Sequence, residues 1–384
     1  MSDRRRVLIG FFGVLLVLAA LAGGLIAGVL ITDYNNLGTL IRVISLIDNN
    51  HIDKSNRSDM INGAIEGIVR SLGDPYSVYM SPKMYKDLTE QVQGSFGGVG
   101  IEVEKDKEHL YVLKPINGTP AFKAGLRTGD IILKIDGKST QDMNIYVAKN
   151  RIRGPLGTSV TLTVFRNSDE KIYEYRLKRE VINVPTVEGK ILRGTNIAHI
   201  SIGQFNANTD VELENVLREL GIPMNDPERS KVKGIILDLR DNPGGELEAA
   251  VHVADFFVPE GSIVSIEYRT EGEEIYRSDK RFINLPLVVL VNGNSASASE
   301  IVSGAIKDTK AGILVGTKTF GKGVVQSLYQ LQNGAGLKLT IGRYLTPLKH
   351  DINNKGIEPD VKVKLPNNAT KDIQLDKAIE ILKD

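Results

Sequence analysis

Two short segments in the last third of the chain combine residue types that can carry out nucleophilic catalysis. The first is Asn294-Ser-Ala-Ser-Ala-Ser-Glu300, in which alanines leave space around the serine hydroxyls. The second is Gly321-Lys-Gly323, followed by Gln326. A serine can attack a peptide carbonyl when a neighbouring base takes its proton, and a neutral lysine amine can be that base instead of a histidine. The pairing of the two segments therefore predicts a peptidase.

The residues alone leave the nucleophile open among three serines. A strand ending at Val291 and a helix predicted to begin near Ala298 would place Ser297 at a helix N-terminus. Free amides and the positive end of the helix dipole can stabilise an oxyanion there. Ser295 and Ser299 fit a role in capping the same helix. The physics of the sequence does not separate the three serines.

Two lysines compete for the role of the base. A lysine accepts a proton only when it is neutral, so burial must lower its pKa from about 10.4 toward neutrality. Lys322 has a glycine on each side, which permits close approach to a sheet, and Val324 and Val325 nearby to exclude solvent. A Gly-Lys-Gly sequence is also an ordinary turn, and Lys318 is a local rival. The residues therefore favour a lysine base without fixing which one.

The elements that must position these segments begin near Thr186, where strands start to alternate with helices. Largely apolar runs predict the buried strands of a mostly parallel sheet at Ile197–Ile202, Val232–Leu239, Leu285–Val291 and Gly312–Val315. Helices are predicted between them at Asp210–Leu220, Leu247–Phe257 and Ala298–Ile306. Strands followed by helices place active-site loops at the carboxyl ends of the strands, and both segments fall at such ends.

A second, β-rich module precedes this sheet. Its motifs are Gly97-Gly-Val-Gly-Ile101 and a long run from Thr119 to Gly137 that contains Gly-Leu-Arg-Thr-Gly-Asp. They closely resemble the PDZ family in its bacterial arrangement, over about residues 93–179. Consecutive amides at Val99, Gly100 and Ile101 could hold a carboxylate while a peptide tail adds as a strand beside them.

Specificity of this groove is expected from an apolar pocket. We predict walls at Val99 and Ile101, with Met143 and Val147 facing them from a helix over Asp142–Arg151. The same apolar residues could instead fill the core of the module, and for Met143 and Val147 the two interpretations are equally supported.

The N-terminal part of the chain indicates a membrane. Val7–Ile31 is uncharged, follows Arg4-Arg-Arg6, and is long enough to span the roughly 30 Å core of a bilayer. Ala20-Leu-Ala22 fits the alternative, a cleaved signal peptide, but apolar residues continue beyond it. The arginines favour a cytoplasmic N-terminus, which would place everything after Asp33 outside the cytoplasm. We predict a single-pass protein of the cell membrane.

Composition excludes several classes of function. A net charge of +1, from 48 basic and 47 acidic side chains, argues against nucleic-acid binding. The absence of cysteine excludes a thiolate nucleophile. The sequence also lacks the His-Glu-x-x-His motif of zinc hydrolases, so we predict no metal or other cofactor. None of the five histidines accompanies a Gly-x-Ser-x-Gly sequence, which argues against a histidine-based triad.

Several motifs together resemble the carboxyl-terminal processing proteases, also called tail-specific proteases. The resemblance rests on the segments Leu72–Tyr79, Leu237–Gly245, Gly293–Ile301, Thr319–Gln326 and Gly356–Asp360, and it extends from about residue 40 to the end of the chain. Asn294, where relatives often carry a glycine, is a small departure from the pattern. Glu300 is expected to complement the helix dipole rather than to act as a catalytic acid.

The resemblance also implies the roles of individual residues. Ser297 would be the nucleophile, Lys322 its general base, and Gln326 the partner that orients the lysine amine. The oxyanion hole would combine the Ala298 amide with an amide from Gly244 or Gly245, of which we favour Gly245.

We therefore predict an α/β (α+β) multidomain chain. Its parts are a stub and transmembrane anchor at 1–32, a helical dimerisation segment at 33–91, a PDZ domain at 92–180, and a protease domain at 181–384, layered as in the crotonase-like core of tail-specific proteases. The predicted function is that of a membrane-anchored homodimeric endopeptidase that binds protein substrates by their free C-termini. The alternative is a PDZ adaptor on an inactive enzyme fold, since a fold does not guarantee activity.

Overall fold

A computed structural model of the chain describes residues 37–92, 95–106, 109–223, 230–279, 282–366 and 370–383. The chain divides into two units, Met1–Tyr79 and Met80–Asp384. The predicted membrane anchor Val7–Ile31 lies outside the described residues. Among the helices that are described, none is both long and apolar enough to cross a bilayer.

From residue 37 onward, the first unit contains two helices, α1 (residues 37–50) and α2 (Arg57–Arg70). The helix α2 begins after Asn56, whose side chain accepts a hydrogen bond of 2.9 Å from the Ser58 N–H and so satisfies one of the free donors at the helix start. Both helices leave large apolar side chains in solvent, among them Ile41 at 61% and Ile68 at 63% exposure. The strand β1 (Val78–Met80) lies across the boundary of the two units.

The second unit begins with the helix α3 (Pro82–Val92), which leads into the predicted β-rich module. The strands of this module are β2 (Ser95–Gly98), β3 (Ile101–Lys105), β4 (Leu110–Pro115), β5 (Ile131–Ile135), β6 (Lys138–Ser139), β7 (Ser159–Arg166), β8 (Lys171–Lys178) and β9 (Glu180–Asn183). Its helices are α4 (Pro120–Lys123) and α5 (Ile145–Ile152). The main sheet is antiparallel in the order β3-β4-β5-β7-β8, with β6 on β5, while β2 pairs with β9.

The module has its own hydrophobic core. Along β7 the side chains of Val160, Leu162 and Val164 are fully buried at every second position, as expected for a strand with one face in a core. The helix α5 begins at Ile145 and not at Asp142, so the start of this helix was predicted three residues too early. Met143 therefore precedes the helix and does not stand one turn before Val147 on it.

The rest of the second unit carries the predicted parallel sheet. Its strands are β10 (Val187–Ile191), β11 (Ile197–Ile202), β12 (Gly234–Asp238), β15 (Leu287–Val291), β16 (Ile313–Gly316) and β19 (Val361–Lys362). The order is β10-β11-β12-β15-β16-β19, parallel throughout except for β10, which confirms the predicted sheet. The helices around it are α6 (Thr209–Glu219), α7 (Leu247–Asp255), α8 (Ala298–Asp308) and α9 (Ile373–Ile381).

Helices cover both faces of this sheet, which explains its continuous apolar strands. Leu237 and Val289 belong to the large core shared with α6, α7 and α8. Ile236 and Val288 point to the other face and pack in the cluster that contains Ala378 of α9. Successive residues thus serve opposite faces, with the period of two that a strand imposes.

A second, antiparallel sheet, which the sequence did not predict, completes the unit. Four of its strands lie wholly in this unit: β13 (Gly261–Tyr268), β14 (Gly272–Ser278), β17 (Val324–Gln330) and β18 (Gly336–Leu345). The strand β18 lies between β13 and β17, and β14 pairs with β13. The strand β17 directly follows the Gly-Lys-Gly segment, so this sheet positions the lysine.

Candidate active site

The residues predicted to act together line one cleft of about 790 Å³. It lies where the carboxyl ends of β12 and β15 meet the hairpin of β17 and β18. All of the predicted catalytic and oxyanion residues line it: Gly244, Gly245, Ser297, Ala298, Lys322 and Gln326. The parallel sheet therefore supplies the serine and the glycines, while the antiparallel sheet supplies the lysine and the glutamine.

The backbone of Ser297 is unusual. It immediately precedes α8, with φ of 54° and ψ of −114°, a conformation that a non-glycine residue rarely adopts. Such a conformation costs on the order of 1–3 kcal/mol and persists only where the surroundings hold it. The result is a sharp turn between β15 and α8 that presents the Ser297 side chain to the cleft.

The two neighbouring serines are fully buried in structural hydrogen bonds. The Ser295 hydroxyl donates to the Leu239 carbonyl at 2.8 Å, and the Ser299 hydroxyl donates to the Asn242 carbonyl at 3.0 Å. Both bonds tie the serine segment to the loop that follows β12. Of the three serines that sequence physics left open, Ser297 is the one whose side chain reaches the cleft.

The buried carboxylate of Glu300 joins the serine segment to the lysine segment. One of its oxygens accepts from the N–H groups of Ser297 and Lys322, both at 2.9 Å. The other accepts from the Gly321 N–H at 2.7 Å and from the Thr319 hydroxyl at 2.6 Å. The sequence suggested only a favourable interaction with the helix dipole, whereas this side chain fixes the backbone of both segments.

Tyr344 makes a second connection between the same segments. It is 1% exposed, and its hydroxyl lies within hydrogen-bonding reach of the main-chain carbonyls of Ser297, at 3.1 Å, and Lys322. Because Tyr344 is on β18, these hydrogen bonds connect the antiparallel sheet to both segments. Neither Tyr344 nor this role of Glu300 was found from the sequence, since the contacts join positions far apart in the chain.

The two glycines predicted for the oxyanion hole differ in what their amides do. The Gly244 N–H donates to the Asn242 side chain at 2.8 Å, so it is already committed. Within the described part of the chain no acceptor is found for the N–H of Gly245 or of Ala298, the first residue of α8. Gly245 has φ of 147°, and a Cβ there would lie 1.8 Å from the Phe205 carbonyl oxygen, so only glycine fits.

The candidate base and its partner lie on the hairpin side of the cleft. Lys322 and Gln326 are both partly buried, and Val324 between them is 8% exposed. The Gln326 side-chain amide donates to the Val324 carbonyl at 3.1 Å, which fixes the orientation of the amide. The rival lysine, Lys318, is half exposed and lies 3.7 Å from the Glu358 carboxylate instead of in the cleft.

Asn294 in the serine segment has a defined contact. Its side-chain amide donates to the Asp241 carboxylate at 2.7 Å, and the side chain of Asn292 donates to the same oxygen at 2.9 Å. Asp241 has φ of 59° and lies in the loop between β12 and Gly245. These bonds hold the loop of the candidate oxyanion hole against the loop of the candidate nucleophile.

Below this loop, Arg240 anchors the end of β12. Its guanidinium forms paired hydrogen bonds with Asp238, at 2.9 and 2.6 Å, and with Asp372 at the start of α9, at 2.9 and 2.8 Å. Burial alone would raise the pKa of Asp238, but hydrogen bonds from Arg240 and His199 outweigh it and lower the pKa to about 2. The charged network thus connects the loop to the C-terminal helix.

The predicted peptide groove of the β-rich module is found only in part. The strand β3 is the terminal strand of its sheet, next to α5, so a peptide could extend the sheet along its outer edge. Val99, however, is fully buried in the core and is not a groove wall. Ile101 and Met143 are partly buried against that core, and Val147 is 46% exposed.

The turn predicted to bind a carboxylate contains a position that only glycine fits. Gly100 has φ of 78°, and a Cβ there would lie 2.2 Å from the Thr119 side chain. Among the described residues no acceptor is found for the N–H groups of Val99 and Gly100. The described residues bring together no cluster of three His, Asp or Glu that could hold a metal ion.

The chain is similar to known proteins along most of its length. It matches Peptidase family S41 over residues 196–363, the PDZ domain over 97–176, and the Activating protease CtpB N-terminal domain over 30–84. It is 38% identical over 325 residues to "Carboxy-terminal processing protease CtpA" of Bacillus subtilis (strain 168), covering 84% of this chain and 68% of that protein. It is 37% identical over 345 residues to "Probable CtpA-like serine protease" of Staphylococcus aureus (strain MRSA252), covering 89% of this chain and 67% of that protein.

A solved structure, that of the photosystem II D1 C-terminal processing protease, is similar as well. It superposes with a TM-score of 0.50 at 28% identity, covering 90% of this chain and 96% of that one.

Proposed function

Because the chain belongs to the carboxyl-terminal processing serine proteases of peptidase family S41, we propose that it is an endopeptidase whose catalytic dyad is Ser297 and Lys322. The observation that carries the proposal is the cleft in which a strained Ser297 and Lys322 lie together, with both of their backbones held by Glu300. A PDZ domain precedes the peptidase domain.

The proposed reaction proceeds through an acyl-enzyme. The neutral amine of Lys322 takes the proton of the Ser297 hydroxyl as its oxygen attacks the scissile carbonyl carbon. The negative charge on the carbonyl oxygen is stabilised by the N–H groups of Ala298 and Gly245. Lys322 then gives the proton to the leaving amine, and a water molecule hydrolyses the ester by the same steps in reverse.

Gln326 is proposed to orient the amine. Its side-chain N–H is engaged by the Val324 carbonyl, which leaves its carbonyl oxygen to accept from the amine. A neutral acceptor suits this role, because a carboxylate at the same place would favour the protonated lysine. The partly buried position of Lys322 further disfavours its charge.

We further propose that substrates are recognised by their free C-termini in the PDZ groove. The glycine-lined turn at Gly100 offers amides for the carboxylate, and the edge of β3 offers backbone groups for the tail. Docking could also shift the enzyme toward an active arrangement, provided that the tail binds this arrangement more tightly. Comparing rates with free and amidated tails tests this, and equal rates would contradict it.

Anchoring and dimerisation remain part of the proposal. The uncharged segment Val7–Ile31 supports a single-pass anchor with the peptidase outside the cytoplasm. The exposed apolar side chains of α1 and α2 support a homodimer through the first unit. Sedimentation of the chain from residue 33 onward would give a dimer mass if this is correct, and a monomer mass at all concentrations would contradict it.

The catalytic assignment is tested by cleavage of an unstructured peptide with a free C-terminus. Ser297→Ala and Lys322→Ala should each abolish turnover while the thermal unfolding midpoint stays within the range of the controls. Ser327→Ala, a serine that also lines the cleft, and Lys318→Ala, the neighbouring lysine outside it, are the matched controls and should retain activity. Persistent turnover in either catalytic variant would refute the dyad.

A further inference from the structure

A second lysine lines the catalytic cleft. Lys338 is on β18, opposite Leu328 of β17, and the next pair along this face of the hairpin is Gln326 and Thr340. Residues directly opposite each other, and residues two apart on one strand, share a face of a sheet. Lys338 and Gln326 are therefore on the same face, separated by about 7 Å along the hairpin.

The positive charge of the Lys338 ammonium group is not neutralised by any described residue. Its side chain is partly buried, and no described residue supplies it with an ion pair or a hydrogen bond. The other lysine of the cleft, Lys322, is an amine and offers no negative charge to pair with it. Removing part of the hydration of a charge without pairing it costs free energy, so such a group favours an anionic partner from outside.

The acidic residues of the cleft belong to a different wall. Glu246 and Glu248 lie at the start of α7 and form their own cluster. Burial, together with the charges of Glu248 and Asp210, raises the pKa of Glu246. The acidic side chains Glu246 and Glu248 thus lie on the α7 wall of the cleft, whereas Lys338 places a positive charge on the hairpin wall.

We propose that Lys338 is a specificity-determining residue that binds a carboxylate of the substrate within about two to three residues of the scissile bond. Gln326 is proposed to orient the base and so marks the position of the scissile bond. Lys338 is about 7 Å further along the hairpin, and an extended peptide advances about 3.3 Å per residue. The carboxylate is either an Asp or Glu side chain or the terminal carboxylate of a chain cut near its end. This inference rests on the proposed peptidase function and adds the charge preference of its cleft.

The test uses internally quenched peptides of one unstructured sequence, in which a single Asp or its uncharged counterpart Asn occupies each position around the cleavage point. The wild-type enzyme should cleave one Asp peptide about fivefold faster than its Asn counterpart in kcat/KM, the size expected for a partly exposed ion pair. Lys338→Gln should abolish the difference. Lys338→Glu should instead cleave a peptide with Lys at the same position faster than its Asn counterpart. Arg343→Gln, which removes a charge from an exposed position of the same strand, should leave it unchanged.

A second set of peptides distinguishes an acidic side chain from the terminal carboxylate as the group that Lys338 binds. Short peptides that end close to the scissile bond are compared with free and amidated termini, and a difference that Lys338→Gln removes identifies the chain end as the ligand. Equal Asp and Asn rates at every position, with no effect of amidation, would overturn the inference. A Lys338→Gln variant in which kcat/KM falls by the same factor for the Asp and the Asn peptides would also overturn the inference. Failure of the proposed function would look different, because Ser297→Ala would then cleave the peptides.

Discussion

Replacing Glu300 by glutamine should damage catalysis without touching a reacting atom. The carboxylate accepts four hydrogen bonds, from Thr319, Gly321, Lys322 and Ser297, and it is fully buried. An amide keeps one oxygen and replaces the other by a donor. In the less costly orientation the new NH2 faces Thr319, whose hydroxyl can turn to accept, and Gly321, whose N–H is left opposite another donor.

The cost follows from these bonds. One buried donor left unpaired costs about 1–3 kcal/mol, and the remaining bonds lose the strengthening that the charge provided. We therefore expect Glu300→Gln to lower the free energy of unfolding by about 2–4 kcal/mol. Because Ser297 and Lys322 are then held less firmly, kcat should fall at least about 100-fold, since small displacements of reacting groups have effects of that size.

The assay combines peptide turnover with thermal unfolding and with binding of a free-carboxyl peptide to the PDZ domain, which reports that the remainder of the chain is folded. Glu248→Gln is the matched control, because Glu248 also lines the cleft but is exposed and is not in this network. Glu300→Gln with wild-type kcat and unchanged stability would refute the argument that this carboxylate holds the two segments together.

Three further outcomes are expected. Gly245→Ala should reduce kcat by about 10²- to 10³-fold, because a Cβ would collide with the Phe205 carbonyl and displace an oxyanion donor, and an unchanged kcat would exclude that amide from the hole. Tyr344→Phe should cost about 1–2 kcal/mol of stability and lower kcat, measured by unfolding and turnover, and a variant identical to wild type would show that its hydroxyl positions nothing. The pKa of Asp238 is lowered from 3.8 to about 2, so its contribution to stability, on the order of 2–3 kcal/mol, is present above pH 4 and lost as the pH falls to 2. When the free energy of unfolding is measured against pH, Asp238→Asn should lack this loss of stability. A variant that loses as much stability as the wild type between pH 4 and pH 2 would contradict the assignment.

The sequence was most informative where the pattern was local. The apolar runs around Leu237 and Val289 predicted parallel strands because both faces of the sheet are covered, and the helices between them were found within a few residues. The antiparallel strands β14 and β18 were missed, since they are short of continuous apolar residues and depend on pairing with distant strands.

From the physics of the residues alone, the site was predicted only as a serine paired with a lysine. Resemblance to a family singled out Ser297 from three serines, whereas the physical distinction is a backbone conformation and two buried hydroxyl bonds that no sequence pattern encodes. The bonds of Glu300 to the lysine segment and the role of Tyr344 were missed because these contacts join positions about 20 to 50 residues apart. Val99 was misassigned to the groove because an apolar residue beside glycines fits a pocket wall and a core equally well.

The most direct measurement is the pH dependence of the rate at which a fluorophosphonate labels the protein, with the modified residue located by mass spectrometry. If Lys322 acts as a neutral base for Ser297, one adduct forms on Ser297, its rate rises through an ionisation far below the ordinary lysine pKa of about 10.4, and labelling disappears in Lys322→Ala. An adduct on Ser295 or Ser299, or a labelling rate that Lys322→Ala does not change, would contradict the account.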